Sequence, residues 1–290
     1  FDYQFRPFEK LYSTFGLRSD DHTTAGRKTS GRATVAYQLD GNSKIRSSLG
    51  SGVRFPALYD YRFASSNLVS QGSTLEDLRS ERGNSFDLGY DTYLDNLDLG
   101  LNITYFNVVQ KNSLEGGNEN GWTQRNGVGR NTSEGLEVGG NWKPASKDYS
   151  LGFGYTFTDT YDGQTCDAHH RDAWSDNECR LEGSAVSTAK VRVPRHALQA
   201  RVNYSFSPKF KTSLKGKYRS ETRDFGNAND SWTDAILTDY YTFDLNGSYK
   251  IFDGYDLNFG ISNILDEEYY QAYDYSAPGR AFTVKLKRAL

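Results

Sequence analysis

The sequence predicts an all-β fold, an antiparallel up-and-down transmembrane β-barrel, on three observations. Segments of about ten residues alternate apolar and polar side chains with a period of two, the pattern of strands that show one apolar face. Short and long connections alternate along the chain. The polar faces carry Lys, Arg, Asp, Asn and Gln. About twelve strands enclose a space too wide for side chains to fill, so an apolar outside and a polar inside is the solution that lipid selects.

The elements follow in order. Residues 1–5, FDYQF, read as the tail of one strand. Strands are then expected at about 11–20, 29–38, 43–52, 83–93, 97–110, 124–143, 148–159, 196–206, 210–222, 239–250, 255–264 and 280–290. In the fifth of these, Leu97, Leu99, Leu101, Ile103 and Tyr105 alternate with Asp98, Gly100, Asn102 and Thr104. Tyr149, Leu151, Phe153, Tyr155 and Phe157 do so mostly against Ser, Gly and Thr. Leu198, Ala200, Val202, Tyr204 and Phe206 enclose Gln199, Arg201 and Asn203. Phe210, Thr212, Leu214, Gly216 and Tyr218 oppose Lys211, Ser213, Lys215 and Lys217. Tyr241, Phe243, Leu245, Tyr249 and Ile251 continue the pattern, as do Tyr255, Leu257, Phe259 and Ile261.

Tight connections fall at Leu39–Asn42, Asp95–Asn96, Pro144–Lys147, Ser207–Lys209 and Phe252–Gly254. Long ones fall at about 21–28, 53–82, 111–123, 160–195, 223–238 and 265–279. A meander therefore collects the turns at one end and the long loops at the other, as barrels of the outer membrane do. Greek-key crossings break this rhythm in soluble sandwiches. Tyr105, Tyr155, Phe157, Tyr204, Phe206, Tyr218, Tyr249 and Phe252 sit near strand ends, where interface girdles lie.

Composition removes other classes. A net charge of −3 does not suit a protein that neutralises phosphates, so no nucleic-acid partner is expected. With 14% aromatic residues the chain is not disordered. No apolar run approaches the roughly 20 residues of a membrane helix. The chain contains no Met, so residue 1 is not an initiator and the sequence is expected to begin inside a longer protein.

Candidate chemistry is confined to the loops. Cys166 and Cys179 favour a disulfide closing an external lobe, worth about 3 kcal/mol in the chain-entropy picture. The rival is a metal site with His169 and His170, although zinc sites more often show Cys-x-x-Cys spacing. Acidic pairs at Asp20–Asp21, Glu76–Asp77 and Asp266–Glu268 lack calcium-loop spacing and read as solvated charges. No hydrolase, zinc-protease or P-loop motif is present, and His196 has no nucleophile near it in sequence. No catalytic residue, metal site or cofactor is therefore expected. Aromatic and Arg side chains suit ligand contact. Trp174, Arg171, Trp232, Arg223, Tyr270 and Tyr273 are the candidates.

Five segments, in order, resemble motifs of TonB-dependent outer-membrane receptors. They are GSGVRFPALYDY (50–61), LEDLRSERGNSFDLGYD (75–91), NTSEGLEVGGNWKP (131–144), VPRHALQARVNYSF (193–206) and NILDEEYYQAYDYSAPGRAFTVKLK (263–287). The second departs from the family pattern: Asn-Pro is missing and Arg79-Ser80-Glu81 replaces Lys-Pro-Glu. The final residue is Leu290 where the family usually ends in an aromatic. The resemblance implies that 1–290 is the C-terminal part of the barrel, roughly the last twelve strands of a 22-stranded cylinder. The plug domain and the N-terminal strands would then lie outside this sequence. It also implies active uptake of a bulky metal chelate such as a ferric siderophore, haem or cobalamin, with AYDYSAPGR (272–280) closer to the cobalamin branch. The implied partners are the TonB complex, reached through the missing N-terminal region, outer-membrane lipid and the chelate. A passive porin or adhesin barrel is the alternative, and an outer-membrane enzyme a third.

Overall fold

The computed structural model describes residues 1–61, 78–117, 123–126, 130–145, 148–164, 186–188, 190–228, 231–252 and 254–288. The strands are β1 (Asp2–Phe8), β2 (Leu11–His22), β3 (Gly26–Gln38), β4 (Ser43–Arg54), β5 (Glu81–Leu94), β6 (Leu99–Lys111), β7 (Leu114–Gly117), β8 (Thr123–Asn126), β9 (Arg130–Trp142) and β10 (Tyr149–Gln164). They continue as β11 (Val186–Thr188), β12 (His196–Ser207), β13 (Phe210–Arg219), β14 (Thr222–Ala228), β15 (Ser231–Leu237), β16 (Tyr240–Phe252), β17 (Tyr255–Ser262), β18 (Tyr270–Ala272), β19 (Tyr275–Ser276) and β20 (Ala281–Arg288). One antiparallel sheet runs β1-β2-β3-β4-β5-β6-β9-β10-β12-β13-β16-β17-β20, with β11 extending β10. The pairs β7–β8, β14–β15 and β18–β19 are separate hairpins in three of the long connections.

The cross-strand register makes each face continuous. One row reads Leu11, Tyr37, Ile45, Tyr90, Ile103, Val138, Tyr155, Leu198, Tyr218 and Tyr241, residue opposite residue from β2 to β16. A row of the opposite face reads Lys44, Asp91, Asn102, Gly139, Gly154, Gln199, Lys217 and Thr242. The apolar face is open: Leu49 is 58% exposed, Phe282 72% and Val284 74%. The only buried hydrophobic residues among those described are Leu78, Leu237 and Tyr240. A water-soluble sheet would forfeit about 1.5–3 kcal/mol for each such side chain left in solvent. In a bilayer the same face is the solvated one. Phe153 and Phe259 lie over the cross-strand glycines Gly140 and Gly247 on this face, filling the gap that each missing Cβ leaves.

The polar face is hydrogen-bonded instead. Arg46 reaches Asp91 at 3.1 Å, Asp87 at 3.8 Å and the Thr104 hydroxyl at 2.7 Å. It does so across Gly89, where any Cβ would stand 2.7 Å from the guanidinium. Lys44 joins Asp91 at 3.5 Å.

The structure corrects the sequence reading in three places. The expected strand 124–143 is two elements: Thr123–Asn126 pairs with Leu114–Gly117, and the wall strand begins at Arg130. The two elements pair with different partners, β7 and β6, so they are not one strand. The strand expected from residue 97 starts at Leu99, because Asp95–Leu97 forms a 3-10 turn closed by Asp98 at φ 50°. The long connections, read as plain loops, carry hairpins of their own. At the turn end aromatic rings cluster, Tyr204 and Phe206 of the expected girdle among them: Tyr204–Phe206 at 4.5 Å, Phe206–Phe210 at 4.9 Å and Trp142–Tyr149 at 5.3 Å.

The outer edges of β1 and β20 pair with no described strand. Backbone groups facing lipid must be paired, and open edges recruit other chains. Residues 1–290 purified alone in detergent are therefore expected to self-associate. A monodisperse, protease-resistant monomer on size-exclusion chromatography would contradict this.

Candidate ligand-facing site at the loop end

The packed part of the molecule is at the loop end, where Leu78, Leu237 and Tyr240 are buried. Three long connections meet there around Asp224 on β14, whose side chain is fully buried. Arg192, held at φ 63° just before β12, donates from Nε to both Asp224 oxygens at 2.8 and 2.9 Å. The Arg192 backbone N–H donates to the Arg223 carbonyl at 2.8 Å. From the connection after β17, the Tyr273 N–H donates to Asp224 Oδ2 at 2.6 Å. One carboxylate thus ties together segments more than thirty residues apart on either side.

The connection after β17 is built by Asn263. Its φ is 49°, a conformation Asn tolerates because its short amide bonds locally. The amide Oδ1 accepts from Glu267 N–H at 2.9 Å, and Nδ2 donates to the Glu267 carbonyl at 2.9 Å. The Asn263 N–H donates to Asp244 at 3.0 Å. Asp266 Oδ1 then accepts the Arg280 N–H at 2.6 Å, closing the loop. Gly279 makes room there, since a Cβ would stand 2.9 Å from that oxygen and displace the Asp266 side chain. Tyr269 stacks on Tyr240 at 4.2 Å, and burial, then the neighbouring Tyr240 and Asp244, raise its hydroxyl above the ordinary phenol range. Replacing Asn263 by alanine removes bonds that are buried, at about 1–3 kcal/mol. The expected result is faster proteolysis within 263–280 with the strands intact; unchanged cleavage would oppose it.

A second cluster gathers the connections after β2, β4 and β6. Arg54 Nη1 donates to Glu81 Oε2 at 2.8 Å, and Glu81 Oε1 accepts the Leu114 N–H at 2.7 Å. Asp60 accepts the Ala57 N–H at 2.7 Å, shaping the helical turn at 58–61. His22 stacks on Phe55 at 5.0 Å and lies 6.1 Å from Tyr61. Burial, then Asp60, push the Tyr61 hydroxyl up.

These geometries can hold and shape loops, and they present aromatic and guanidinium surface. Tyr270 is 38% exposed, with its hydroxyl on Glu268 at 3.2 Å. His196 lies at the loop end against Tyr155 and Phe157, its Nδ1 2.8 Å from the Tyr155 hydroxyl and its backbone N–H donating to Ser220 Oγ at 3.0 Å.

The family model for the TonB-dependent receptor-like β-barrel matches residues 1–264. The chain belongs to that family. Among solved structures, this receptor barrel is similar to the siderophore receptor PirA from Acinetobacter baumannii, with a TM-score of 0.74 at 15% identity over 99% of this chain and 44% of that one. A variant of the ferric enterobactin receptor PfeA from Pseudomonas aeruginosa gives a TM-score of 0.73 at 18% identity, over 98% and 43%. The copper transporter OprC gives 0.72 at 14% identity, over 99% and 46%. At these identities the likeness shows the fold, and the chain spans less than half the length of each neighbour. A search of curated proteins by sequence found no match.

Of the receptor's expected ligand contacts, Arg223 and Tyr273 meet at Asp224, and Tyr270 lies on the same connection as Tyr273. Trp232 stands opposite Asn227 in the β14–β15 hairpin, and its side chain lies outside the described part. Arg171, Trp174, Cys166 and Cys179 also lie outside the described residues. Sequence reasoning missed Asp224 and Arg192. Nothing in a lone Asp or Arg between polar neighbours signals burial, and only the meeting of three connections creates it.

Proposed function

We propose that this chain is the C-terminal barrel part of a transporter that takes up a bulky metal chelate across the bacterial outer membrane, energised by the TonB complex. A plug domain and the first strands would complete it. The family match over 1–264 carries the reading. Neighbours of the same fold include a siderophore receptor, a ferric enterobactin receptor and a copper transporter, which supports a metal-bearing cargo. Trp174, Arg171, Trp232, Arg223, Tyr270 and Tyr273 would supply contacts from the loops, and a Cys166–Cys179 disulfide would close the lobe that carries the first two. The knitted loop end supports this placement, because contacts from separate connections need a common rigid base.

The test uses the full-length protein in a receptor-deficient Gram-negative strain. Ferric enterobactin, cyanocobalamin and copper are offered as labelled probes. Uptake of one of them is expected, and it should collapse when TonB is deleted. Uptake that is indifferent to TonB, together with constitutive conductance in planar bilayers, would replace this reading with a passive porin.

A further inference from the structure

The outer rim of the sheet holds three cations in one cross-strand row. Arg82 on β5 stands opposite Lys111 on β6, and Lys111 opposite Arg130 on β9. The registers of both pairs run without a shift. By the period of two, the three share the face of Leu88, Tyr105 and Leu136, which is the lipid-facing one. All three side chains are exposed. Directly opposed residues have Cβ atoms about 5 Å apart, and like charges there are destabilising. Among the described residues no carboxylate pairs with any of them.

Near the loop end Arg27 of this face pairs with Asp21 at 3.4 Å, and Asp159 of this face is taken by Arg195 at 3.7 Å. The nearest same-face carboxylates in these strands are already engaged. Glu134 accepts from the Tyr105 hydroxyl at 3.2 Å and from Asn107 Nδ2 at 3.1 Å, and Asp159 from the Tyr161 hydroxyl at 2.7 Å. The row flanking the triplet offers Val53 on one side and Gly163 on the other, so neither neighbour supplies a counter-charge.

From Leu99 to Lys111, β6 climbs about 30 Å along the barrel axis, at about 3.4 Å per residue and a tilt of about 40°. The apolar band of such barrels is about 25 Å tall. The triplet therefore stands just past the hydrocarbon, on the loop side, at the level of the outer-leaflet headgroups. Arg and Lys clusters at that level recognise phosphate, Arg in a two-pronged geometry.

We infer that Arg82, Lys111 and Arg130 form a site for an outer-leaflet lipid whose headgroup carries more than one phosphate. The bound phosphates offset the repulsion within the row and fix the lipid against β5, β6 and β9. The site lies on the outside of the wall, so it is independent of what the lumen carries.

The test takes full-length protein in nanodiscs of phosphatidylcholine doped with diphosphoryl lipid A, extracts it into detergent, and counts retained lipid by native mass spectrometry. Wild type should retain lipid A. The R82Q/K111Q/R130Q variant should retain at least tenfold less. An R201Q/K215Q variant, which removes positive charge from the inner wall, should retain as much as wild type. Heat-modifiable migration verifies folding, and K111Q alone carries the test if the triple variant does not assemble. Equal retention by the triple variant overturns the site. Equal loss in the inner-wall variant overturns its specificity. Full displacement by millimolar inorganic phosphate assigns it to free phosphate rather than to a lipid.

Discussion

Gly135→Ala is expected to lower the amount of folded barrel in the outer membrane by about tenfold or more. Gly135 sits in β9 opposite Phe106 of β6 and Thr158 of β10. A Cβ there would lie 1.9 Å from the Phe157 carbonyl oxygen and 2.8 Å from the Phe106 ring. A ring can rotate away, but a backbone carbonyl moves only with its strand. Shifting β10 strains the ladders on both sides of it, each bond worth about 1 kcal/mol net, and a loss of about 3 kcal/mol follows. Gly83→Ala is the matched control, since nothing lies within 4 Å of its Cβ position. Heat-modifiable migration in membrane fractions reads both. Equal levels for the two variants would show that the β9–β10 contact is not as close as described.

Arg192→Ala is expected to loosen three connections at once. The change takes the Arg192 guanidinium from the fully buried Asp224 carboxylate, and a buried charge that loses a hydrogen-bond partner costs more than the about 1–3 kcal/mol of a neutral group. Asp224→Ala should cost less, about 1–3 kcal/mol, because Arg192 is 54% exposed and its charge can turn to water. Hydrogen exchange should rise together in 190–195, 222–226 and 270–276, with the wall strands unchanged. The order of the two variants is the critical result. A larger effect for Asp224→Ala, or exchange confined to one segment, would mean that Asp224 does not join the three connections.

The wall was legible in the sequence because lipid and lumen impose opposite chemistry on alternate residues. Leu198, Val202 and Tyr204 could only face one way, and the register places them there. The first strand was legible only as a tail, since Asp2–Phe8 is mixed in polarity, with Arg6 and Pro7 interrupting the alternation. The hairpins of the long connections were not legible. TRDFGNA and SWTDAIL are short and mix polar and apolar residues on both faces, so no period identifies them; they pair over seven residues. The closing motif was visible as a pattern, yet its reason lay in space. Asn263 bonds Glu267, Asp266 bonds Arg280, and Gly279 makes room for the latter.

Alternation, connection lengths and five ordered motifs by themselves determined the family, the meander of the wall strands and the direction of each face, but not the hairpins of the long connections. These are local properties, set by neighbours in the chain and by the medium on either side of a strand. Tertiary structure alone decided the Asp224 node and the row of Arg82, Lys111 and Arg130. Each depends on which residues stand opposite one another across strands or between distant connections. Register and loop convergence are set by the summed pairing of whole strands, and no single stretch of sequence contains that sum.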